Sequence, residues 1–136
     1  MRLVFCAVAL VAVLGSGCGD EPSRDEEAGK TARPPRPAPQ TITEAAAGSS
    51  FTLAPGSETR LRLSGTHEWS EPTVRGVAVE LTRVDYFQDP GFSEWTVVAA
   101  RAGTATIAAE GTPACAGQEG CADTPLRFQI EIAVAP

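Results

Sequence analysis

From residue 50 onward, apolar and polar positions alternate in short runs. In Ser50–Leu53, Phe51 and Leu53 share a face, and Pro55-Gly56 marks a turn. In Glu58–Ser64, Thr59, Leu61 and Leu63 oppose Arg60 and Arg62. Val77, Val79 and Leu81 line up against Glu80 and Thr82 in residues 77–84, and Trp95, Val97 and Ala99 fall in phase in 94–101. Ala102-Gly103 then turns the chain into 104–109, where Ala105, Ile107 and Ala109 are in phase. The last run places Phe128, Ile130, Ile132 and Val134 against Gln129, Glu131 and Ala133. Period two with one apolar face is the pattern of a strand covering a core on one side only. Six or seven such runs, punctuated by Gly and Pro, predict an all-β domain over 41–136. The expected fold is an immunoglobulin-like antiparallel β-sandwich of about seven strands. Residues 43–47 predict one short helical turn, ended by Gly48.

The chain before residue 41 has a different texture. Residues 19–40 carry mixed charge, then Pro34, Pro35, Pro37 and Pro39, with no aromatic residue. Such a segment buries too little apolar area to offset chain entropy, so a disordered, partly extended tether is expected. Ahead of it, Arg2 precedes an apolar run over residues 3–14, the length of an export signal and short for a membrane span. The run ends Leu14-Gly15-Ser16-Gly17-Cys18. Small residues before a Cys resemble a bacterial lipoprotein signal. The resemblance implies cleavage before Cys18 and acylation of Cys18 (palmitate being the usual N-acyl chain), hence a membrane anchor. Plain secretion with a free Cys18 is the alternative. The expected organisation is a signal peptide at 1–17, lipidated Cys18 and tether over 18–40, and a sandwich over 41–136, exported and held at the cell membrane or outer membrane.

Composition narrows the chemistry. Among 136 residues there are four Cys, one His, one Lys and no Asn, and the net charge is -6. Loss of Arg2 with the signal leaves ten basic against 17 acidic residues, or -7. An acidic balance argues against nucleic acid as a partner. One His excludes any site built on two imidazoles, and His67 has no nucleophile motif near it. Loop carboxylates Glu68, Glu71, Asp85, Asp89 and Glu94 are ordinarily solvated, and Asp85, Asp89 and Glu94 match no calcium-loop spacing. No catalytic residue, metal or cofactor is expected. With Cys6 in the signal and Cys18 acylated, Cys115 and Cys121 remain as a pair in an oxidising compartment. A disulfide is predicted; a metal site would need more ligands than two thiolates and His67 supply.

Three stretches fall between the strand runs: 65–75, 85–93 and 111–125. Trp69, Tyr86, Phe87 and Phe92 lie in them, either as exposed anchors of a recognition surface or as plugs of the core. Gly56-Ser57-Glu58 with Leu61 and Leu63, then Trp95, Ala99, Gly103-Thr104-Ala105 with Ile107, then the 128–134 run, resemble the chagasin family. That family consists of immunoglobulin-like inhibitors of papain-type cysteine proteases. The resemblance spans about residues 50 to 135 and implies contacts through three loops at one end. Where the family carries Asn-Pro-Thr-Thr-Gly, the chain offers Glu71-Pro72-Thr73-Val74-Arg75-Gly76; where it carries Arg-Pro-Trp, the chain offers Gly111-Thr112-Pro113-Ala114-Cys115. Pro72, Thr73 and Pro113 therefore join the four aromatics as candidate binding residues. The expected function is a non-enzymatic protein-binding or structural module at the cell envelope. Inhibition of a papain-type cysteine protease is the alternative.

Overall fold

In the computed structural model, residues 34–122 and 124–136 are described. They form a two-sheet β-sandwich, the immunoglobulin-like architecture expected from the alternation. One sheet runs β1 (Arg36–Pro37), β3 (Ser50–Leu53), β10 (Leu126–Val134), β9 (Gly103–Pro113), and the far side of β9 is shared by β5 (His67–Trp69) and β6 (Thr73–Gly76). The other runs β2 (Thr41–Thr43), β4 (Glu58–Ser64), β8 (Phe92–Ala99), β7 (Val79–Val84). Counting its short pieces, the sandwich has ten strands rather than about seven.

The faces follow the sequence pattern. Phe51, Leu61, Leu63, Trp95, Val97, Ile107, Phe128, Ile130 and Ile132 point between the sheets and are buried. Each such side chain contributes about 1.5–3 kcal/mol on leaving water. The single turn of 3-10 helix falls at Glu44–Ala46, and Gly48 follows it in the left-handed region at φ +79°.

Four expectations need correction. The sheets are not antiparallel throughout: β1–β3, β3–β10 and β2–β4 are parallel pairs. These strands are not joined by tight turns, so nothing local imposes an antiparallel arrangement. Second, the fold begins before residue 41. Ala38 N–H donates to Thr52 O and Arg60 N–H to Gln40 O, both at 3.0 Å, and Arg36 stacks over the Phe51 ring at 5.1 Å. Pro37 is tolerated because β1 is an edge strand, where a missing N–H faces no partner. Residues 1–33, with the signal, Cys18 and most of the tether, lie outside the described residues.

Third, Val77 is out of phase. It is 66% exposed, while Ala78 and Val79 are both buried. Gly76, at φ +104°, bends the chain just before it. The Ala78 carbonyl then accepts from both Ala100 and Arg101 N–H. Fourth, the stretch 65–75 is not a single loop, because it contains β5 and β6. Between them the pairing steps from Trp69 opposite Gly111 to Thr73 opposite Ala108. Four steps on one strand against three on the other make a bulge at residues 70–72.

Candidate functional site

The three connections that meet at one end of the sandwich are shorter than the sequence suggested. They are the β4–β5 turn at Gly65-Thr66, the β7–β8 loop at 85–91, and the β9–β10 loop from Ala114 to Pro125. Their bases are joined by backbone hydrogen bonds. Gly65 N–H donates to Gly91 O at 2.8 Å, and Ala114 N–H donates to Thr66 O at 2.9 Å. The approach at Gly65 leaves no room for a side chain, since a Cβ there would lie 2.7 Å from Gly91 O and 3.0 Å from Gly91 C. The end is thus a cross-linked edge rather than three independent loops.

The third loop is shaped by its cysteines. Cys115 and Cys121 form the expected disulfide, with Cα atoms 5.7 Å apart. Successive turns run inside it, Gln118 N–H donating to Cys115 O and Cys121 N–H to Gln118 O, with Gly117 and Gly120 both at positive φ. Pro113 is buried at the root of this loop, opposite His67.

The candidate aromatics separate into three situations. Trp69 is half-buried, donates its indole N–H to Ser64 O at 2.9 Å, and lies over Gly111; it plugs the core near this end. Phe92 is half-buried, with the Arg62 guanidinium 4.1 Å over its ring and Tyr86 edge-on at 5.6 Å. Tyr86 is 43% exposed, and Phe87 is fully exposed at 103%. A fully solvated Phe in a loop whose base is tied has no packing role in the monomer, so it is the clearest anchor candidate.

Pro72 and Thr73 lie elsewhere. Thr73 pairs with Ala108, five residues along β9 from the Pro113 that pairs with His67. At about 3.3 Å per residue that is about 16 Å from the loop end. They belong to the sheet edge beside the bulge. The bulge serves the core: Glu71 accepts the indole N–H of Trp95 at 2.9 Å and meets Arg83 at 3.3 Å. Trp95 is only 1% exposed, so its N–H needs a partner.

The expectation that Glu94 is a solvated carboxylate needs correction. Glu94 stands on the outer, polar face of β8, yet its side chain is 0% exposed. Arg60 Nη1 donates to Oε1 at 2.8 Å, Arg62 donates Nε–H to Oε2 at 2.8 Å with its Nη2 forming an ion pair to the same oxygen, and Tyr86 O–H donates to Oε1 at 3.0 Å. Three donor side chains, two of them cationic, surround the carboxylate. Burial alone would raise the Glu94 pKa, but the hydrogen bonds from Arg62, Tyr86 and Arg60 outweigh it and hold it below the usual carboxylate value. Partial desolvation of its hydroxyl, the hydrogen bond to Glu94 and the Glu94 charge raise the Tyr86 phenol. Arg60-x-Arg62 on a polar face was the only signal in the sequence, and it says nothing about which acid meets it.

His67 Nδ1 sits 3.1 Å from Thr66 Oγ1, and its ring is tilted against Trp69. Glu94 is held by Arg60, Arg62 and Tyr86, and Asp85 lies 3.5 Å from Arg83. Among the described residues no three His, Cys, Asp or Glu side chains are grouped to hold a metal ion.

The fold and its end together define an immunoglobulin-like sandwich with a cross-linked loop edge. No family model and no curated protein matches the chain. Among solved structures it is similar to the cysteine protease inhibitor EhICP2 from Entamoeba histolytica, with a TM-score of 0.48 and 13% identity over 70% of this chain and 93% of that one. It is also similar to amebosin, with a TM-score of 0.40 and 16% identity over 71% of this chain and 99% of that one. Likeness of this strength says nothing about what the chain binds.

Proposed function

We propose that the sandwich is a non-enzymatic protein-binding module that engages its partner through the loop end, and that the partner is a papain-type cysteine protease. The observation that carries this is the union of Gly65-Thr66, 85–91 and the disulfide loop into one edge, with Phe87 fully exposed on it. A preformed edge enters a cleft without the ordering cost that a flexible loop incurs. The sequence resemblance to the chagasin family supports the choice of partner. The departures from that family's first and third motifs favour a broader second reading, in which the same edge binds another envelope protein.

Titration of papain and related enzymes with the chain tests the first reading. Inhibition that Phe87→Ala weakens by about 30-fold or more, the scale of a hot-spot residue, is expected. No inhibition at micromolar protein across the panel removes the protease reading. The domain is further proposed to be held at a bacterial membrane by acylation of Cys18. Two acyl chains would supply a lasting anchor at about 0.8 kcal/mol per buried CH₂. Cys18→Ala should release the chain from the membrane fraction; a wild-type chain whose intact mass shows no lipid contradicts the anchor.

A further inference from the structure

The outer face of a sheet is an unexpected place for a fully buried carboxylate. Burying Glu94 there costs desolvation that only a complete set of donors offsets. Two donors, Arg60 and Arg62, come from β4, the neighbouring strand of the same sheet. The third, Tyr86, comes from the 85–91 loop, one residue before Phe87. Phe92, at the other foot of that loop, packs under the Arg62 guanidinium and meets Tyr86 edge-on. Gly91 then donates to Asp89 Oδ1 at 2.8 Å and accepts from Gly65. Both feet of the loop are thus fastened, one to the carboxylate and one to the β4–β5 turn. The residues between them carry Phe87 outward.

We infer that Glu94 is a positioning residue of the loop end: its carboxylate holds the Tyr86 foot so that Phe87 is presented, preformed, to an apolar cleft on the partner. The inference deepens the protein-binding reading and rests on it for the partner alone. The clamp itself is a property of the free chain. Glu94 touches no partner in this scheme and acts through Tyr86 and Phe87. Without the clamp, Phe87 samples many directions, and binding must then include the cost of ordering the loop.

The test uses the full chain, with papain as the binding probe, in Glu94→Gln, Tyr86→Phe and Phe87→Ala variants. Backbone order parameters from nitrogen relaxation are read first. In the wild type, residues 86–91 should lie near the rigid-backbone value of about 0.85, and in Glu94→Gln they should fall below about 0.6, with β9 and β10 unchanged. Tyr86→Phe removes only the hydroxyl, so it gives the same loosening with less effect on the Arg pair; it is the decisive variant if Glu94→Gln does not fold. Papain affinity should fall about tenfold in Glu94→Gln, and much less when Phe87 is already Ala, because the two act through one contact. An unchanged loop order parameter in the folded variants overturns the clamp. Full additivity of Glu94→Gln and Phe87→Ala overturns its action through Phe87. If the wild type does not bind papain, the partner assignment fails, while the order parameters still decide the clamp.

Discussion

Gly111→Ala isolates one packing contact near the loop end. Gly111 lies in β9 opposite Trp69 in β5 and Leu126 in β10. It is buried, and its backbone is not in the left-handed region, so the constraint is space alone. A Cβ added there would stand 2.9 Å from Cε3 and Cζ3 of Trp69 and 3.0 Å from Cη2. Carbon atoms prefer about 3.5–4.0 Å, so the ring would have to retreat by about 0.6 Å. The indole N–H, 2.9 Å from Ser64 O, limits that retreat, because the hydrogen bond weakens as it stretches toward 3.5 Å. Overpacking of this kind costs about 1–3 kcal/mol. Loss of glycine's extra freedom in the unfolded chain returns about 0.4–1 kcal/mol. The net destabilisation should be about 1–2 kcal/mol, which lowers Tm by about 5–15 °C in a domain of this size. Thermal unfolding followed by near-ultraviolet circular dichroism measures it. The same substitution in a Trp69→Ala background should be neutral or stabilising, since the clashing ring is gone. An equal cost in both backgrounds, or no loss in the single variant, would refute the contact as the cause.

Acid should act through Glu94. Its folded pKa lies below the unfolded value, near the ordinary 4.5, so its stabilisation is fully present above that value and is lost as pH falls through the depressed folded value. Tm measured from about pH 7 to about pH 3 should drop more steeply below about pH 4.5 for the wild type than for Glu94→Gln; parallel curves would show that Glu94 contributes nothing to acid sensitivity. Replacing Cys115 and Cys121 by Ser should cost about 2 kcal/mol, the loop-closure entropy of so small a ring, and reductant should lower the wild-type Tm by the same amount without affecting the variant. Phe51→Ala, in the middle of the core, should cost about 3–5 kcal/mol in denaturant unfolding, and a loss below about 1 kcal/mol would place Phe51 outside the core.

What the sequence by itself determined is what the backbone decides locally. Side-chain direction reverses at every residue of a strand, so Phe51, Leu61, Leu63, Trp95, Ile107, Phe128, Ile130 and Ile132 could be assigned to the inner face without knowing their partners. The short spacing of Cys115 and Cys121 likewise restricts the disulfide to a small ring, whereas the helical turn ends one residue before Gly48, at Ala47, whose backbone is already extended. Val77 marks where local phase fails: a bend at Gly76 resets the alternation, and period counting does not register a bend. Everything that makes the loop end a site came from pairing between distant segments. Register on β9 carried Pro72 and Thr73 about 16 Å from that end, and hydrogen bonds from Gly65 to Gly91 and from Ala114 to Thr66 joined three stretches that are far apart in sequence. Glu94 is the sharpest case. Its alternation phase marks it as solvent-facing, and only the alignment of β4 beside β8, with Tyr86 folded over both, encloses it. Which face a side chain takes is written in its neighbours along the chain; which groups it meets is set by non-local register, and a one-residue shift would have left this carboxylate in water.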